Sequence, residues 1–393
     1  MNKLLGTLLC ALAVLPSAAG EEPEPFALKA FRAAVQSAPG NVAFSPSSME
    51  GVLRLLRRGA QGETAAELDS AGISPVSPVA GSGVREAEAL FVDSSLEPAL
   101  LPAVRCLDIR ALPLQKNPQE AVNIINSWVS GHTRGMIPEL FNADRLRGAS
   151  PMAMVAVNAT AMDARWQFPF SPDKTEDQKF YCADGSTSTV QMMMLRKALY
   201  VAQGEDWHAV ALFYKGKDDA PSRTCLVAIL PTGNARDFVA TLTAEKYAEI
   251  TSALQQFTRR RIVLGLPRFE LRTGTKSWKS VLQACGLRRL FSSQADFRGF
   301  MNRPLYVSDV CQSCYVKVDE QGTKAAAATA AVVLLSAAPR RTERLIFNRP
   351  FIWAIMNLDF PQSPFFMGLF ENPWHLALIG KVKVSISIPP RSM

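Results

Sequence analysis

Histidine is scarce in this chain: three in 393 residues, His132, His208 and His375, far apart in sequence. A Ser/His/Asp triad needs only one, yet none of the three stands in a catalytic motif. The chain lacks a G-x-S-x-G elbow, a Walker-type glycine loop and an H-E-x-x-H helix. Enzymatic chemistry therefore has no support in the sequence. Cys311 and Cys314 form a C-x-x-C, but no second such pair or nearby histidine completes a zinc set. Their surroundings read as strand, where residues three apart point to opposite faces, so they are expected as core thiols. Cys10 falls in the N-terminal apolar run, and six scattered cysteines in a large domain prescribe no disulfide framework. No metal and no cofactor are expected.

Long apolar runs are missing too, with one exception. Lys3 is followed by Leu4 to Leu15 and then by the small residues Pro16-Ser17-Ala18-Ala19-Gly20. That layout is a secretory signal, too short to span a bilayer. Residues 1–20 are expected to be removed, leaving a soluble, extracellular chain of about 370 residues. With 48% hydrophobic and 20% charged residues and no low-complexity linker, one large core is expected. The net charge of +8 bears on association rather than fold. It makes glycosaminoglycan a candidate partner; nucleic acid and a membrane span are not expected. Arg57-Arg58, Arg259-Arg260-Arg261 and Arg288-Arg289 are the densest basic spots, each short enough to be a solvated face.

Helix signals come first along the chain. Ser47-Ser48-Met49-Glu50 reads as a capping box before Val52, Leu53, Leu55 and Leu56, and Thr64-Ala65-Ala66-Glu67 as a second, opening a helix that ends near Gly72. Ile73 to Gly83 holds Pro75, Pro78, Gly81 and Gly83 and is no stable helix. Asn117 or Pro118 opens a helix carrying Val122, Ile125 and Val129, which stops between Gly131 and Gly135. Strand signals follow at Cys225 to Leu230, Ile262 to Leu266, Leu305 to Asp319, Phe351 to Leu358 and Phe365 to Leu369. Met152 to Met162 fits a doubly buried strand or a short core helix. The order argues for an α+β fold with a large mixed or antiparallel sheet. Thr323 to Leu335, built of Ala, Thr, Val, Leu and one Lys, fits either a buried helix or an exposed, conformationally uncommitted segment.

Several motifs together resemble the serpin family. Asn41-Val42-Ala43-Phe44-Ser45-Pro46 is similar to its entry to the second helix, and Gly59-Ala60-Gln61-Gly62-Glu63-Thr64 to the turn that follows. Ile125-Asn126-Ser127-Trp128-Val129 with Thr133-Arg134-Gly135-Met136-Ile137, Val157-Asn158-Ala159 through Trp166 to Phe170, Phe347-Asn348-Arg349-Pro350-Phe351, and Phe366-Met367-Gly368 with Asn372-Pro373 continue the series. Asp184-Gly185-Ser186-Thr187, the Trp128 helix and Gln312 look most like the plasminogen-activator inhibitor subgroup, which implies a tendency to spontaneous loop insertion. The resemblance implies a large central mixed β-sheet with smaller sheets, about eight to nine helices and an exposed reactive-centre loop over about residues 321–344, within a domain of 21–374. It also places Ser45, Ser48, Asn158, Trp166 and Gln312 in the region where the sheet opens.

The implied mechanism is mechanical: a serine protease attacks the loop, forms an acyl-enzyme, and is dragged away as the cleaved loop enters the sheet. The implied hinge is Glu320, Gly322, Thr323, Ala325, Ala327 and Thr329, whose small inward residues at period two suit insertion. Counting about sixteen residues from Glu320, as the family does, sets the bond at Leu335, Ser336 and Ala337, suited to elastase-like or chymotrypsin-like enzymes. Arg340 and Arg341 are the alternative, suited to trypsin-like enzymes such as plasminogen activators. A non-inhibitory serpin, a monomeric binding or carrier module, is the competing reading.

Four features depart from the family pattern. Ile73 to Gly83 occupies the place of its heparin-binding helix, and Ala164 replaces a usual glycine. Residues 375–393 extend beyond the usual end, with Lys381 to Ile388 alternating as a strand or forming a tail. The only sequon, Asn158-Ala159-Thr160, falls in an expected buried strand and should go unused.

Overall fold

The computed structural model describes residues 23–75, 83–102, 106–140, 142, 144, 153–216, 220–256, 259–273, 276–323 and 343–373. The leader, the 375–393 extension, and loop residues Ala325, Ala327, Thr329, Leu335, Ser336, Ala337, Arg340 and Arg341 lie outside them. Seven α-helices lie among the described residues: α1 (Phe26–Ser37), α2 (Pro46–Gly59), α3 (Gly62–Ser70), α4 (Pro118–His132), α5 (Ala235–Ala240), α6 (Ala244–Gln255) and α7 (Lys279–Ala284).

Tertiary contacts move two helix starts away from their sequence signals. α2 begins at Pro46, with Ser45 as its cap: the Ser45 hydroxyl accepts from the Ser48 amide at 3.3 Å. Proline suits that first position because its missing N–H would be unpaired anyway. The Ser47 amide donates instead to Pro364 O, and Glu50 accepts from the Ser363 hydroxyl. α3 begins at Gly62. Its Thr64 hydroxyl accepts from the Asp296 amide, while Glu67 accepts from the amides of Arg288 and Arg289. Both expected boxes are thus spent on long-range bonds. α4 starts where the sequence placed it, with the Asn117 side chain accepting from the Glu120 amide. After α3, Gly72 turns at φ +76° and Ile73, Ser74 and Pro75 are non-helical.

The strands fall into two sheets. The eight-stranded sheet runs Ile109–Leu112, Val84–Asp93, Ala153–Met162, Tyr306–Val318, Gly322–Thr323, Ala164–Arg165, with Phe269–Arg272 and Lys276–Ser277 also paired to Tyr306–Val318. The nine-stranded sheet runs Val42–Phe44, Phe366–Phe370, Phe351–Asn357, Pro221–Pro231, Trp207–Lys215, Thr187–Gln203, Arg259–Pro267, Glu343–Ile346, with Thr175–Tyr181 on Thr187–Gln203.

All ten residues of Ala153–Met162 are buried, which settles that stretch as a strand covered on both faces. Val155, Val157, Ala159 and Ala161 pack under α4 against Val122, Ile125 and Trp128, while Met154 and Ala156 join the core of α2 on the other face. Cys311 and Cys314 divide the same way, one in the core under α4 and one in the core between the sheets. The C-x-x-C is therefore core on two faces, as its spacing predicts.

A candidate insertion seam and its hinge

Ala153–Met162 and Tyr306–Val318 run parallel from Tyr306 opposite Ala153 to Tyr315 opposite Ala161, with a one-residue register shift between Val307 and Asp309. At the far end this seam is already parted. The chain turns after Val318, and Gly322–Thr323 returns antiparallel, with Thr323 between Val318 on one side and Ala164 on the other. The Asp319 carboxylate holds the turn by accepting from the Gln321 and Gly322 amides at 3.0 and 3.3 Å. Gly322 has φ +156°, and a Cβ there would lie 2.0 Å from Ala164 O. Only glycine fits without displacing the neighbouring strand.

Thr323 is wholly buried. Its hydroxyl lies 2.7 Å from that of Tyr214, whose ring stacks on Trp166 at 4.4 Å between centroids. Burial pushes the Tyr214 hydroxyl far above its usual range, so it stays neutral. The Trp166 ring donates to Asp319 O at 2.8 Å, and its amide to Gln321 O at 2.9 Å. The Glu320 carboxylate, 5% exposed, accepts from Thr175 Oγ1 at 2.7 Å and from the Arg268 guanidinium. Burial alone would raise its pKa, but those two donors hold it below the usual carboxylate range.

The middle of the seam is closed. Gln312 registers with Asn158, and its amide donates to Asn158 Oδ1 at 2.5 Å and to Ser45 O at 2.9 Å. The Ser45 amide donates back to Gln312 Oε1 at 2.9 Å. Asn158 Nδ2 lies 3.8 Å from Met49 Sδ. Ser45, Asn158 and Gln312 are at most 1% exposed, so the network ties both central strands to the start of α2. Ser48 stands beside it, wholly buried. The expected sheet-opening group therefore divides: Ser45, Ser48, Asn158 and Gln312 sit at mid-seam, while Trp166 belongs to the hinge. With Asn158 inside this network, the sequon offers no accessible acceptor.

Beside mid-seam lie carboxylates that sequence reasoning missed. Glu50 is wholly buried, with Ser363 Oγ at 2.5 Å and Arg54 at 3.8 Å. Ser47 donates to Glu86, and Glu88 registers with Asn158. The Glu88 carboxylate lies against Gly51 of α2, where a Cβ would meet its Oε2 at 2.0 Å. Burial pushes Glu50 up to about 7, and burial with the Glu86 charge pushes Glu88 up to about 8; burial also raises Glu86. Tyr214, Thr175 and Arg268 were missed likewise, since no local motif marks them.

A mixed sheet parted at one end by a returning strand, with the chain re-entering a second sheet at Glu343, defines an α+β protein of the serpin type. Residues 82–373 match the model of the serpin (serine protease inhibitor) family, and the chain belongs to that family, whose members are generally protease inhibitors. The chain is 30% identical over 390 residues to the plasma serine protease inhibitor of Bos taurus, covering 91% of this chain and 89% of that one. It is 33% identical over 261 residues to Serpin B4 of Homo sapiens, covering 65% and 64%. Among solved structures, the thermophilic serpin tengpin in its native state superposes with a TM-score of 0.74 at 23% identity, covering 91% and 96%. Native protease nexin-1 with heparin gives 0.73 at 24%, covering 90% and 98%.

Proposed function

We propose that this chain is a secreted inhibitory serpin that traps a serine protease as a covalent acyl-enzyme. The observation that carries this reading is the Gly322–Thr323 strand, antiparallel to both neighbours at the parted end of the seam. A chain continuing in that direction would exchange one parallel ladder for two antiparallel ones, which are slightly more stable per residue. Thr323 faces inward onto Tyr214, so Ala325, Ala327 and Thr329 would follow it inward at period two. All are small enough for a packed interior.

In the proposed reaction the protease serine oxygen attacks the carbonyl carbon of the loop bond. That bond breaks, its nitrogen leaves protonated as a new N-terminus, and the acyl half stays on the serine as an ester. Insertion then carries the ester away from the triad before water attacks it. Leu335, Ser336 and Ala337 make the preferred bond, for elastase-like or chymotrypsin-like targets. Arg340 and Arg341 serve a trypsin-like target such as a plasminogen activator, in keeping with the subgroup likeness of Asp184 to Thr187 and Gln312. Extracellular action follows from the leader at 1–20, and the +8 net charge favours attraction to glycosaminoglycan.

Incubation with elastase, chymotrypsin, trypsin and urokinase, followed by denaturing gels, tests the proposal. A complex stable to denaturation is expected with at least one, and sequencing the released fragment names the bond. Simple cleavage by all of them, with no complex, would instead make the protein a carrier or binding module.

A further inference from the structure

Exposed arginines gather on one face of the nine-stranded sheet. Arg259 and Arg261 lie two apart on Arg259–Pro267 and share the face opposite the buried Ile262 and Leu264. Val263, next on that outer face, registers with Arg196 on one neighbouring strand and with Arg344 on the other. Arg196, Arg261 and Arg344, all exposed, thus form a triangle across three strands. Its sides are about 8–10 Å, from a strand spacing of about 4.8 Å and a rise of about 3.3 Å per residue. Arg259 extends it, its guanidinium 4.6 Å from the Tyr200 ring and donating to the Tyr200 hydroxyl. Arg260 belongs to the other face, where it pairs with Glu343 at 3.4 Å. Among the described residues, Arg259, Arg261 and Arg344 form no ion pair. The cluster thus gathers positive charge on one exposed face of three neighbouring strands.

Its position points to a partner. Arg344 lies three residues past Arg341 and eight past Ser336, at most about 10 and 28 Å of extended chain. An enzyme gripping either candidate bond is therefore within that reach of this face. We propose that Arg196, Arg261 and Arg344, flanked by Arg259, form a secondary docking surface for an acidic patch on the protease held by the loop. The proposal rests on the inhibitory reading above. A compact triangle beside the bait fits a folded acidic surface better than a long linear polyanion, which needs an extended track.

Anionic and cationic trypsin, which share a primary specificity but differ in surface charge, are the probes. They are offered to the full chain carrying Ser336→Arg, with and without Arg196→Ala, Arg261→Ala and Arg344→Ala together. The intact patch should favour association with the anionic form by about tenfold at low salt, and the triple change should abolish that preference without altering stoichiometry. Equal rates for the two trypsins on the intact patch overturn the docking surface alone. Loss of heparin retention with unchanged protease rates also overturns it, assigning the patch to a sulfated polysaccharide. Absence of any covalent complex with either trypsin overturns the inhibitory reading and this proposal together.

Discussion

At Thr323 the two central strands are held apart by a short strand between them, whereas at Gln312 the same strands pair directly and are pinned to α2. The parted end rests on stacked rings, a hydroxyl pair and a buried carboxylate with a cation; the closed middle rests on side-chain amides. The contrast teaches where the sheet stores its resistance. On the proposed insertion path the seam is parted at Thr323, and opening it further would break the Gln312 network, whose buried groups would lose partners they cannot regain from water.

Four changes break or sharpen that contrast. The largest effect is expected from Ala325→Arg. Driving an unpaired guanidinium inward costs several kcal/mol, so covalent complex should fall about tenfold or more on denaturing gels while cleavage continues. Gly322→Ala, forced against Ala164 O, should destabilise the hinge by about 2–3 kcal/mol and lower the melting temperature. Gln312→Ala strands the Ser45 amide and Asn158, at about 1–3 kcal/mol. It should also speed spontaneous loss of inhibitory activity on incubation, which Gly322→Ala should not do.

The smallest effect is a pH dependence of the mid-seam region. Glu50 and Glu88 bind protons more tightly folded than unfolded, so the native state holds more protons between about pH 4.5 and 8. Their contribution to stability is therefore present at acid pH and lost as pH rises through that window. Glu88→Gln should flatten this slope and raise the melting temperature at pH 8 by about 2–4 °C, with little change at pH 5.

The fold class was legible in the sequence because its elements carry local signals. Strands such as Cys225 to Leu230 announce themselves by apolar runs, and Asn117-Pro118 by cap chemistry. The capping boxes at Ser47 and Thr64 misplaced their helix starts because the side chains bond to residues far away in sequence, which local propensity cannot weigh. Gln312 bonds across 267 residues to Ser45, and Tyr214 across 109 to Thr323. The first was reached through family resemblance alone; the second was not reached at all. Trp166 stands apart from the other four residues of its group because resemblance supplies membership in a region, not the register that divides it. The buried Glu50 and the half-buried Glu86 and Glu88 were unreadable because a glutamate on a helix or strand looks solvated until the packing is known.

The central claim is that the seam accepts the loop as a new strand, and thermal unfolding of loop-cleaved protein tests it most directly. Protein nicked once between residues 324 and 342 by a non-target protease, then freed of that enzyme, is melted beside the intact chain. The account predicts that the cleaved form melts far above the intact form, because two antiparallel ladders have replaced one parallel ladder. An unchanged or lower melting temperature after cleavage would contradict it.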